Sequence, residues 1–218
     1  MPDYPKTDLN TVRRLAKRGV YDEATVHAIV DEALICHAGF VHDGRPFVMP
    51  TIHVRTGRTV YLHGAPANRM LSVIASGVPV CLTMTLIDGI VFARSVFHHS
   101  MNYRSAMLFG TGRAVTDPEE KWKAFEALTE HIAKGRWNDA RVPNEVETKT
   151  TAVVAVEIES ASAKVRTGGA NDEEEDYALP VWAGVLPLSL TPGTPEPDPR
   201  MENGTSVPEY VRRYTRTK

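Results

Sequence analysis

Short β-rich runs, each closed by a turn signal, recur through the first half of the chain and restrict its fold more than any other feature. LICHAGFV (34–41) leads into His42-Asp43-Gly44-Arg45, PFVMPTIHV (46–54) into Gly57, and TVYLH follows at 59–63. Two tight turns between such runs predict an antiparallel meander. Further on, VPVCLTMTL alternates cleanly: Val80, Leu82 and Met84 point one way, and Cys81, Thr83 and Thr85 the other. GIVFARSVF, entered by an Asp88-Gly89 turn, YRSAMLFGTGRAV and TAVVAVEIE supply three more expected strands. There is no βαβ rhythm and no internal repeat, which disfavours a doubly wound nucleotide fold. Short strands with few helices predict a mainly β protein, a compact barrel carrying helices on its outside.

Three helices are expected. Asp22 caps the first, with Val26, Ile29, Val30 and Ala33 at helical spacing. A second runs from about Asn68 to Ala75. The third starts at Asp117, with Pro118 in its first turn and Glu120 completing an Asp-x-x-Glu capping pattern. Its apolar stripe is Trp122, Phe125, Leu128 and Ile132, and Gly135 stops it. The chain divides into a polar, basic amino-terminal arm (1–20), a barrel domain (21–188) and a Pro-rich, basic carboxyl-terminal tail (189–218). That tail has too little apolar content to fold alone and is expected to wrap a surface or a partner subunit.

Composition removes several function classes. Of 218 residues, 42% are hydrophobic and 24% charged, with a net charge of −2, which gives no broad attraction for nucleic acid. No apolar run is long enough to span a bilayer, and the start MPDYPKTDLN has no signal-peptide pattern, so the expectation is a cytoplasmic protein without membrane contact. Two cysteines, Cys36 and Cys81, cannot build a disulfide framework. His53 and His63 lie on consecutive expected strands, but no third ligand has fitting spacing, so no metal site is expected. Neither G-x-S-x-G, G-x-G-x-x-G nor a Walker A pattern occurs; Gly110-Thr111-Gly112 reads as a bulge or bend.

Two clusters carry chemistry. In YLHGAPANRML a small-residue turn, Gly64 to Ala67, precedes Asn68 as a cap and Arg69 in the first helical turn. This reads either as a phosphate receptor or as an ordinary strand-to-helix turn with a surface arginine. In HHSMNYRSAMLFGTGRA, the residues Asn102, Tyr103, Arg104 and Ser105 read as a second phosphate contact or as a polar strand end.

These residues resemble the flavin-binding split-barrel family related to pyridoxamine 5′-phosphate oxidase, especially its nitroimidazole-resistance branch. The likeness runs through PFVMPTIHV, TVYLHGAPANRML and NYRSAMLFGTGRAV in order, covering roughly 23–159, and YRSAMLFGTGRA is its most specific block. The resemblance implies a six-stranded antiparallel split barrel, a homodimer, and FMN in clefts at the dimer interface. By position, Met49, Pro50 and Thr51 would lie along the flavin ring, with Leu62 and His63 beside it. Gly64, Ala65 and Asn68 would shape the turn, Arg69 would hold the phosphate, and Tyr103, Arg104 and Ser105 would complete the phosphate or ribityl contacts. Trp182 would reach a flavin from the other subunit, and His63 would be the catalytic proton donor or acceptor. Met70 stands where the oxidase has a second basic residue, and the oxidase's carboxyl-terminal Arg-x-Pro signature is missing, so vitamin B6 oxidation is not expected. The implied activity is FMN-dependent oxidation or reduction of a small molecule, with NADH or NADPH as candidate reductants. A non-catalytic flavin-binding or storage module and a deazaflavin-dependent reductase are the rival readings.

Overall fold

The computed structural model describes residues 3–201 and 205–216. Among these residues no helix is long and apolar enough to cross a membrane. Thr217 and Lys218, which end the basic terminus, lie outside the described residues, as do Met1 and Pro2 of the arm. In chain order the strands are β1 (Gly19–Val20), β2 (Ile35–His42), β3 (Arg45–Thr56), β4 (Thr59–Gly64), β5 (Pro79–Phe92), β6 (Ser100–Ala114), β7 (Ala152–Glu157), β8 (Ser160–Arg166) and β9 (Gly184–Pro187). The helices are α1 (Glu23–Glu32), α2 (Arg69–Ala75), α3 (Pro118–Ile132), α4 (Arg136–Asp139), α5 (Glu145–Lys149) and α6 (Glu209–Arg212).

Six antiparallel strands close a ring in the order β2-β3-β4-β7-β6-β5, with β5 returning to β2. Two long strands make closure possible because each changes partner part-way. β3 pairs with β2 through Ile52 and with β4 from His53; β6 pairs with β5 through Thr111 and with β7 from Gly112. The second switch falls on Gly110-Thr111-Gly112, where a Cβ on Gly110 would stand 1.9 Å from the Glu157 carbonyl oxygen. Outside the ring, β8 lies along β6, β1 along β8, and β9 along β5.

The core follows the alternation read from sequence. Val80, Leu82 and Met84 of β5 are buried with Val60 and Leu62 of β4, Leu108 of β6, and Val26, Ile29 and Val30 of α1. Each such side chain contributes roughly 1.5–3 kcal/mol by leaving water. The caps form as expected: Asp22 accepts from Thr25 N at 2.8 Å, and Asp117 from Glu120 N at 2.8 Å. Glu120 does not close the capping box, because its carboxylate is held by the Tyr61 hydroxyl (3.0 Å) and the Arg113 guanidinium (2.6 and 2.9 Å). Phe125 and Leu128 of α3 are buried, whereas Trp122 and Ile132 stay partly exposed, at 39% and 38%.

Two expectations change. Asp88-Gly89 is not a turn: β5 runs on to Phe92, and the register against β6 shifts between Ile87 and Gly89. Gly89 is there because β9 packs over it, with the Leu186 carbonyl oxygen 3.0 Å from where a Cβ would be. The amino-terminal segment is not a loose arm. Tyr4 is 1% exposed and hydrogen-bonds His27, and Asn10 donates to the Ala161 carbonyl oxygen at 2.8 Å. At the other end, Arg216 donates to the carbonyl oxygens of Asp31 (2.9 Å) and Glu32 (2.9 Å), stapling the tail to the end of α1.

Candidate functional site

At the end of β4 the chain turns through Gly64 and Ala65 into α2. The Ala65 carbonyl accepts from Asn68 N at 2.9 Å, and the Asn68 side chain accepts from Met70 N at 2.9 Å, which fixes where Arg69 leaves the helix. The Arg69 guanidinium lies over the Phe47 ring, 4.6 Å from its centroid, and Phe47 in turn stacks on Phe40 at 5.5 Å. Among the described residues no carboxylate pairs with Arg69, so an exposed, aromatic-supported cation is left free beside β3. On β3, Met49 packs partly against the core, while Pro50 is exposed and Thr51 half-buried.

The β6 cluster has a different arrangement from the one expected. Arg104 is gripped by Glu32 of α1 (2.8 Å) and by Asp88 of the β5 bulge (2.7 Å), and these two carboxylates raise its pKa further. Four of the five guanidinium N–H donors are taken by these two acids, which leaves one on Nη1 and offsets the positive charge a phosphate would seek. Ser105 donates to the Lys164 carbonyl at 3.4 Å, and Tyr103 pairs across β6–β8 with Arg166. Arg104, Glu32 and Asp88 instead line an open cavity of about 670 Å³ together with Leu188, Leu190 and Arg216.

Leu62 cannot touch a ligand: it is 0% exposed inside the ring. Because neighbours on a strand face opposite ways, His63 points out of the ring. There it lines a cavity of about 310 Å³ with Phe125, Leu128 and Ile132 of α3, Trp137 of α4 and Arg141. Met49, Pro50, Thr51, Asn68 and Arg69 are not part of that lining. His63 Nδ1 is buried without a hydrogen-bond partner, and burial holds the imidazole pKa below the usual histidine range. Trp182 is 68% exposed and rests on Phe92, ring centroids 5.7 Å apart. Among the described residues no three His, Cys, Asp or Glu side chains cluster as metal ligands.

Sequence reasoning passed over the α3 cavity, because its other walls come from residues 125–151, 62 to 88 positions away from His63 in the chain. It also passed over Glu32, the acid that claims Arg104.

A closed six-strand ring with its helices outside is the architecture of the flavin-binding split barrels. The pyridoxamine 5′-phosphate oxidase family pattern matches residues 22–165. The flavocytochrome Anf3 from Azotobacter vinelandii is 38% identical over 97% of this chain and 98% of its own, with a TM-score of 0.89. A protein from Mycobacterium smegmatis described as binding FAD and heme is 32% identical over 89% of this chain and 96% of its own, with a TM-score of 0.86. A protein from Bacteroides thetaiotaomicron assigned to 5-nitroimidazole antibiotic resistance is 26% identical over 67% of this chain and 86% of its own, at a TM-score of 0.56. No curated protein matches. The chain belongs to the pyridoxamine 5′-phosphate oxidase family.

Proposed function

We propose that the protein is a homodimeric flavin-dependent oxidoreductase acting on a small molecule, with FMN as the first candidate for its flavin. Arg69 carries this reading: it is a free guanidinium, held against Phe47, at the turn between β4 and α2. A flavin's phosphate would take its donors, and Met49, Pro50 and Thr51 on β3 would lie along the ring. Bound there, a flavin supplies the electron transfer, and the chain's own residues supply position and exclusion of water. Arg104 serves this site as a brace between α1 and the β5 bulge rather than as a second phosphate anchor. Replacing Arg69 by Ala should weaken flavin binding about ten-fold or more, the loss expected for a charge-assisted hydrogen bond. Fluorescence titration with FMN and with FAD measures it, and unchanged affinity for both would remove Arg69 from the site.

Apolar residues left in water support the dimer. Val96 and Phe97 are each 88% exposed, with Ile87, Met101 and Trp182 also open on the β5–β6 side. Sedimentation at micromolar concentration should give twice the chain mass of 24.1 kDa; a mass near one chain would overturn the dimer.

Mass spectrometry of the extracted cofactor separates FMN from FAD and from a deazaflavin. Turnover with NADH or NADPH and added acceptors separates an oxidoreductase from a flavin-storage module. The FAD-and-heme protein and the flavocytochrome match nearly the whole chain, including the part beyond the 22–165 family pattern. That full-length likeness supports a second redox group, a haem, beside the flavin.

A further inference from the structure

We propose that the open cavity bounded by β2, β5, β6 and the carboxyl-terminal segment is the substrate pocket, and that it takes a neutral aromatic dione of the quinone class. This rests on the flavin oxidoreductase reading and names an electron acceptor for it. The space of about 670 Å³ falls within the roughly 300–1,000 Å³ of small-molecule sites.

The walls are apolar and fixed in place. Leu34 and Ile35 lead into β2, Leu86 and Ile87 belong to β5, and Leu188 and Leu190 follow β9. Leu188 and Leu190 lie beyond the 22–165 stretch that the family pattern covers. Their segment is tied to the barrel: β9 pairs with residues 89–92 of β5, and Leu188 N donates to the Asp88 carbonyl oxygen at 3.1 Å. The chain after the family pattern therefore builds one wall of a pocket whose other walls are barrel strands.

Charge selects the ligand. The lining holds Arg104 and Arg216 against Glu32 and Asp88, two positive side chains and two negative ones. Arg104 spends four of its donors on the two acids, and Arg216 donates to the carbonyl oxygens of Asp31 and Glu32. An anionic substrate would meet no net positive charge to offset its desolvation and would face both carboxylates. What the polar side still offers is hydrogen bonds, from the last Nη1 donor of Arg104 and from the hydroxyls of Thr85 and Ser189. Apolar walls, a few donors and no free charge suit a flat neutral body that carries acceptor oxygens.

Position connects the pocket to the flavin reading. Met49, Pro50 and Thr51 pair across the sheet with Ala38, His37 and Cys36, and the residue before Cys36 is Ile35, which lines the cavity. The pocket thus begins one residue beyond the part of β3 proposed to lie along the flavin ring. Reduction there adds two electrons and two protons to the dione and releases the hydroquinone, as the reduced flavin returns to its oxidised form; NADH or NADPH supplies the electrons.

The test is calorimetric titration of the oxidised, flavin-loaded full chain with two probes of equal ring size, 2,3-dimethyl-1,4-naphthoquinone and 2-naphthoate. The dione should bind once per chain, and the carboxylate at least ten-fold more weakly. Thr85→Trp fills the cavity and Leu190→Asp puts a charge on its wall, both at exposed positions. Each should weaken dione binding at least ten-fold while flavin affinity stays within a few-fold, with circular dichroism checking that both are folded. In turnover with NADH or NADPH, the KM for the dione should rise in both variants. Dione binding indifferent to both substitutions would overturn the pocket, and naphthoate binding as tightly as the dione would overturn the neutral class. A dione that binds there without being reduced would overturn its role as substrate and leave the flavin reading to stand on its own titrations. A wild type that binds the dione but no flavin would overturn the oxidoreductase reading, and the substrate role with it.

Discussion

Replacing Gly110 by Ala should cost more than about 3 kcal/mol of stability, the upper end of what forced overpacking does. The position is where β6 leaves β5 and β8 to join β7, so three neighbouring strands crowd it. An added methyl would stand 1.9 Å from the Glu157 carbonyl oxygen and 3.1 Å from its carbonyl carbon, and both are backbone atoms that no rotamer change can move. Relief requires β6 to separate from the end of β7, which opens the six-strand ring at its tightest point. Urea unfolding should show the midpoint falling steeply, or no folded protein accumulating. Gly193→Ala is the matched control: nothing lies within 4 Å of its added carbon, and its midpoint should stay put. A folded Gly110→Ala protein with wild-type stability would mean that the strand switch is looser than its backbone distances imply.

That same tripeptide shows what a sequence makes visible. Gly110-Thr111-Gly112 announces an irregularity because glycine weakens a strand and has to be there for another reason. The identity of the backbone that presses on it, the end of β7 some 47 residues later, is not written locally. Helix caps were legible because their physics is local: Asp22, Asn68 and Asp117 each accept from an amide two or three residues on. Asp88-Gly89 misleads for the same reason, since a turn and a bulge use the same residues and only pairing with β9 decides between them. β8 carries Ser160, Ala161, Ser162 and Ala163, whose small side chains give no strand signal, and it forms because β6 offers it an edge.

At the site, the split between legible and hidden runs along charge. The family blocks identify a cationic Arg69 and a cationic Arg104 equally well. Nothing near Arg104 in the chain reveals that Glu32, 72 residues earlier, and Asp88, 16 residues earlier, meet on it and cancel it. Leu62 and His63 are different, because period-two alternation applied to β4 is enough to send one inward and the other outward. Val60 and Leu62 share a parity and both are 0% exposed, so His63 could not have faced the same environment as Leu62.

Stability should also fall on mild acidification, beginning well above the range where carboxylates protonate. His53 on β3 is 0% exposed, and burial pushes its pKa down from 6.5 to about 4. Its Nε2 bonds the Val30 carbonyl oxygen, its ring lies 5.3 Å from that of His131, and its Nδ1 has no partner. A proton there would face the Arg216 guanidinium and the His131 ring, with Asp31 as the only opposing charge, and Asp31 is already paired with Arg55 at 2.6 Å. An unfolded chain takes up that proton near pH 6.5, whereas the folded one resists until about pH 4. Between those values the unfolded state therefore binds more protons, and stability drops as pH falls. The neutral form's contribution is complete above pH 6.5, and about 3 kcal/mol of it is gone by pH 4. His27, His63 and His131, whose pKa values burial also lowers, add to the slope in the same direction. Urea unfolding at pH 7.5, 6.5, 5.5 and 4.5 measures it, and His53→Gln isolates the residue, since glutamine can still donate to Val30 but takes no proton. The variant should be less stable than the wild type at pH 7.5 and should close that gap by pH 4.5. If the two stability profiles run parallel across this window, His53 is not the group whose protonation opens the contact between β3, α1 and α3.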